Sequence, residues 1–349
     1  MSNDYGANAE TLAKYKRKSE FFKAQNKIAF LMFLLLICEV IASIALELFG
    51  ATVQFKDPSP KLTHIKEIAN GLIYVFYMLT PALVYFALKK KGTAKHVNEK
   101  PKDTHPFALF LFGLGIVYVG QLASFAMATF FSGTGVDLYA ATEQTTSADP
   151  VLMIIQIINV AFLPAVLEEL LARHIILTEL TPYSRGFAVM VSALLFSLMH
   201  MNPIQIPFAF IAGLAMAYTT VATGSVIPSF FLHFINNTVS IVLTFLPEFT
   251  DAKTAFVTDT VITAVIMVSG AAAGIYLLKK KREKAAAEAP VPAASAENEE
   301  IAETGEEKID VMDKKVTKNI SPLMAAYIVA ALVCTLLTFF ILAFSRTVS

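Results

Sequence analysis

AFLPAVLEELLAR, residues 161–173, sets two adjacent glutamates and an arginine in the middle of a long apolar run. One charge at the bilayer centre costs about 2.5–3.5 kcal/mol on insertion scales. Nothing in the packing of membrane helices requires three such groups in one segment. The run therefore reads as a membrane helix that carries a functional site.

The composition of the whole chain agrees with a membrane protein. Its 349 residues are 56% hydrophobic and 16% charged, with no net charge, the balance of a polytopic all-α membrane bundle. Zero net charge gives no basic field for a nucleic acid. Cys38 and Cys334 fall in apolar segments and carry no message about redox compartment. The first apolar run, 28–49, is too long for a cleavable signal peptide and is expected to stay as an anchor.

Apolar runs long enough to span follow at about 68–88, 106–132 and 150–178. Less sharply bounded ones lie at about 186–202, 204–223, 225–246 and 258–278, and a last one at about 321–344. The expected organisation is a basic cytoplasmic tail (1–27), a helical membrane domain (28–278) and a charged, disordered linker (279–320). About eight core spans are joined by one further C-terminal span (321–345). With nine alternating spans and a cytoplasmic N-terminus, 22 Lys and Arg fall inside and 5 outside, which favours that orientation and an outside C-terminus. The chain is thus expected to be integral to a membrane (the cell membrane in a prokaryote). Gly270 and Gly274 read as helix packing rather than a dimer seam.

Glu168 and Glu169 point about 100° apart on a helix, whereas Glu169 and Arg173 share a face in the favourable order. The economical reading pairs Glu169 with Arg173 and leaves Glu168 without a cation. Burial would then tune Glu168 toward general-base work. The competing reading is one buried ion network without chemistry. His200 ends the next apolar helix, and a hairpin turning near Ser184 brings it to the depth of Glu168. His233 and Asn237, four apart in HFINN, form either interhelical hydrogen-bond glue or donors for an oxyanion. His174 reads as a surface or interface residue, and His64, His96 and His105 have no evident partners. No nucleotide loop, HExxH or cysteine pair is present.

EELLAR (168–173), FSLMH (196–200) and HFINN (233–237) together resemble the EExxxR, FxxxH and HxxxN motifs of the CPBP family. These are the type II CAAX prenyl endopeptidase and bacteriocin-processing, or Abi, intramembrane proteases. The resemblance covers about 150–245. It implies an intramembrane endopeptidase acting on membrane-embedded or lipidated peptides and proteins in the bilayer. By that resemblance Glu168 and His200 activate the attacking water, His233 and Asn237 stabilise the oxyanion, and Glu169 and Arg173 support the site. Members carry the label metalloprotease, and Glu168, His200 and His233 form a candidate Zn2+ set; the metal-free scheme is slightly preferred. The rival functions are a non-catalytic scaffold or bacteriocin-immunity protein and, more weakly, a proton-coupled transporter. The C-terminal span lies outside the family's core. A depth conflict also stands. Sixteen residues of helix put Glu168 and His200 about 24 Å from the turn at 184, past mid-membrane if that turn lies at the surface.

Overall fold

Proline opens many of the helices, its fixed φ and missing N–H suiting a first turn. Pro60, Pro106, Pro150 and Pro322 each stand at such a start. The computed structural model describes residues 2–52, 59–89, 105–136, 138, 146–287 and 319–344. Within these are nine helices and no strand: α1 (Ser2–Thr52), α2 (Pro60–Leu88), α3 (Pro106–Ser132), α4 (Pro150–Leu180), α5 (Arg185–Leu198), α6 (Gln205–Thr223), α7 (Ile227–Phe249), α8 (Ala252–Ala287) and α9 (Pro322–Phe344). Eight are long and apolar enough to cross a membrane, and α5 is the short one. The chain is a polytopic helical membrane bundle.

Three boundaries differ from the sequence reading. The basic tail is not separate, because α1 runs unbroken through it. The lysine-rich start of the expected linker is helical as far as Ala287, and residues 288–318 lie outside the described residues. The fifth helix ends at Leu198, so His200 sits on a turn beyond it. Fourteen residues span about 21 Å, short of the roughly 30 Å hydrocarbon core. α5 alone is therefore too short to cross, and the turn that carries His200 completes its path. Met201 turns the chain there with a left-handed φ of 45°.

Irregular backbone in a membrane must be satisfied by protein, and several groups of this turn have protein partners. Met201 N–H donates to Leu198 O (3.2 Å), Ile204 N–H to Asn202 Oδ1 (3.1 Å), and Ser124 Oγ to Ile204 O (2.6 Å).

α4 is not a uniform helix. Two π segments, Ile157–Phe162 and Leu170–Leu177, flank the α-helical stretch Leu163–Glu169. Such widened turns concentrate at functional positions. Around α4 pack α2, α5 and α7, and behind them α3 packs on α6 and α8. Gly115 of α3 and Gly270 of α8 bring those two backbones together: a Cβ on Gly270 would stand 2.7 Å from the Gly115 Cα. α9 lies along α1 in the same direction. Gln25 Oε1 accepts from Ser321 N–H (2.7 Å), and further along Phe33 meets the buried Tyr327 ring at 5.5 Å.

Candidate active site

α4 supplies Glu168, Glu169 and Arg173, all buried. The second π segment starts at Leu170, yet Glu169 and Arg173 still meet, Nε to Oε2 at 3.3 Å. Neither of those two atoms has a hydrogen-bond partner in line. The attraction is therefore mainly between charges rather than a forked hydrogen bond. Arg173 is steadied from two other helices. Its Nη2 reaches Gly213 O at 3.5 Å, and its guanidinium lies 4.3 Å from the centre of the Phe196 ring, a cation–π contact.

α7 brings His233 across both glutamates. Its Nδ1 is 3.2 Å from Glu169 Oε1, and its Nε2 is 3.9 Å from Glu168 Oε2. A carboxylate only accepts, so Nδ1 carries the proton; in the neutral ring Nε2 is then an acceptor. Glu168 is gripped on its other side, where Tyr74 of α2 donates to Oε1 at 2.8 Å. Its Oε2 is buried without a hydrogen-bond partner.

His200 occupies the turn after α5. Its Nδ1 donates to Phe196 O at 2.8 Å, which leaves Nε2 as the acceptor in the neutral ring. The rings of His200 and His233 stand edge-on to Phe196, at 5.2 and 5.8 Å. One phenyl ring thus gathers both imidazoles and the arginine. Among the described residues no hydrogen bond or ion pair joins His200 to Glu168, whose imidazole neighbour is His233.

Asn237 is held at both ends of its amide. Nδ2 donates to Val160 O at 2.9 Å, and Oδ1 accepts from Asn236 Nδ2 at 3.0 Å. Val160 has a carbonyl to offer because Pro164, four residues on, has no N–H to give it. Gln121 Nε2 of α3 donates in turn to Asn236 Oδ1 at 3.0 Å. The polar face of α7 therefore ties α3, α7 and α4 together.

Of the other histidines, His64 bonds Asp149 at 2.7 Å, His105 meets Tyr276, and His174 is exposed. His96 lies outside the described residues. Among the described residues no three or more His, Cys, Asp or Glu side chains gather into a metal-holding group. As arranged, Glu168, His200 and His233 do not fit the three-ligand zinc set.

Two residues near the site escaped the sequence reading. Tyr74 stands in an apolar run whose hydroxyl gives no sign of its partner. Glu39 interrupts the apolar LLLICEVIAS stretch of α1 and lies within electrostatic reach of Glu168. Its signal was the one that marked Glu168: a carboxylate in mid-span.

Residues 150–239 match the family model described as type II CAAX prenyl endopeptidase Rce1-like. That supports the resemblance to the CPBP/CAAX proteases, and the matched segment holds Glu168, Glu169, Arg173, His200, His233 and Asn237. None of the curated proteins or solved structures compared with the chain matches it.

Proposed function

We propose, from the premise that segment 150–239 belongs with the CAAX-type proteases, that the chain is an intramembrane endopeptidase hydrolysing membrane-embedded or lipidated peptides. The observation that carries this reading is the facing pair Glu168 Oε2 and His233 Nε2. They are 3.9 Å apart, the first buried without a hydrogen-bond partner. Two acceptors at that separation are too far for a direct bond and well placed to share one water, which donates a proton to each. The water's lone pair is then left to attack.

As the water oxygen bonds to the scissile carbonyl carbon, its proton passes to Glu168 and the carbonyl electrons move onto oxygen. The carbon–nitrogen bond then breaks, and Glu168 returns the proton to the leaving amine. Tyr74 orients Glu168, while Glu169 fixes the His233 ring through Nδ1. In this scheme the second N–H of Asn237 Nδ2 faces the oxyanion, where such donors act most strongly. This division moves the water-sharing imidazole from His200 to His233, which is the ring beside Glu168. No step runs through a metal.

Buried ion networks also serve as braces, and the Glu169–Arg173–His233 cluster supports that second reading of a scaffold. The two readings separate on protein in nanodiscs, with quenched lipidated peptides as substrate. Glu168→Gln is expected to insert normally and lose cleavage by about 10²–10⁴-fold, the usual weight of a general base. Cleavage by the variant equal to wild type would sink the Glu168 mechanism, whereas cleavage by neither protein would favour the scaffold.

A further inference from the structure

Away from the Glu168 site, a groove of about 600 Å³ runs along one flank of the α3/α8 seam. Phe107 and Leu111 of α3 form one wall, and Ser269, Ala273 and Tyr276 of α8 the other. Its rim is polar: Tyr276 OH and His105 Nδ1 stand 3.5 Å apart. Inside, Ser269 is the one hydroxyl, and it is engaged by the carbonyl of Ile266 at 2.9 Å. A peptide laid here would find no partners for its backbone, whereas an acyl chain needs none.

The face of α8 that lines the groove continues with helical spacing through Ser269, Ala273 and Tyr276 to Lys280. Lys280 stands one turn, about 5.4 Å, beyond the rim. It belongs to KKKREK (279–284), in which five cations meet one carboxylate, Glu283, which pairs with Lys280 at 2.9 Å and leaves the cluster strongly positive. An apolar slot thus opens through an aromatic–imidazole rim onto a dense positive charge. That sequence of surfaces matches a lipid's acyl chain, glycerol region and phosphate.

We propose that this groove is a binding site for an anionic phospholipid of the surrounding membrane. The acyl chain lies along Leu111 and Ala273, and the headgroup phosphate faces His105, Lys279 and Lys280. The site is separate from the Glu168 chemistry and does not depend on it.

The chain contains no tryptophan, so Phe107→Trp gives a single tryptophan, excited selectively over tyrosine, on the groove wall. Phe125→Trp, outward-facing on the same helix, is the control for lipid at large. Each variant is reconstituted in vesicles containing either brominated phosphatidylglycerol or brominated phosphatidylcholine as quencher. Quenching in the Phe107→Trp variant is expected to prefer phosphatidylglycerol several-fold over the preference at the control position. Neutralising Lys279 and Lys280 together with glutamine, when each cation is worth about fivefold, should bring the preference down to that at the control position. Native mass spectrometry of the unmodified chain, released from mixed-lipid nanodiscs, should show retained phosphatidylglycerol. Equal quenching by both lipids, the same preference at the control position, or a preference that survives both lysine substitutions would overturn the assignment.

Discussion

Tyr74→Phe removes one hydroxyl and leaves the ring that packs on Tyr77 at 5.3 Å. If Tyr74 only filled space, cleavage would be unchanged. Because it holds Glu168 Oε1 at 2.8 Å, turnover is expected to fall by about tenfold, the value of a hydrogen bond to a charged group, with KM little altered. Steady-state kinetics decide it. The pair Glu169 and Arg173 carries a different expectation. Glu169→Ala strands a fully buried guanidinium and should destabilise by about 3–5 kcal/mol. Glu169→Leu combined with Arg173→Met should recover much of that loss in detergent unfolding, while an unrecovered double variant would refute the ion-pair account. At this scale the sequence exposed the carboxylates because charge in lipid is costly. The same rule reaches Glu39, which a motif-centred reading passes over. Tyr74 was not legible: its role depends on a helix 94 residues away, and a hydroxyl among apolar residues does not name its partner.

Asn237 of α7, like His233, hydrogen-bonds α4. Asn237→Leu removes its bond to Val160 O, leaving a carbonyl in apolar surroundings that Pro164 cannot satisfy. A loss of about 1–3 kcal/mol is expected, with raised hydrogen exchange around 157–164 as the local signature. The start of α4 gives a pH test. Asp149 caps it by accepting from the N–H groups of Val151 and Leu152. The His64 hydrogen bond, aided by those N–H groups, holds its carboxyl below the ordinary 3.8. A depressed carboxyl stabilises above its unfolded value, and the effect is lost as pH falls through the folded one. Asp149→Asn should therefore lower Tm at pH 7, with the difference shrinking below about pH 3.8; a pH-independent difference would contradict the linkage. Helix existence was plain from apolar run length, whereas the end of α5 was not. LMHMNP continues the apolar pattern past Leu198, and only the tertiary bonds to Asn202 and Ser124 make a turn tolerable there.

Nine apolar runs in the sequence became nine helices among the described residues, since lipid leaves the backbone few alternatives. The relation between distant spans was not readable in the same way. Run length says that the last span exists, and the contacts of Gln25 with Ser321 and of Phe33 with Tyr327 say where it goes. Those contacts have a consequence for biogenesis. A ribosome delivers α1 well before α9, so the first helix packs on α2 early and waits for α9 while the helices between are made. Until α9 emerges, Gln25 and the face of α1 around Phe33 must be sheltered by lipid or by an insertion factor. A nascent chain halted before residue 319 would present that open face, which quality control could recognise.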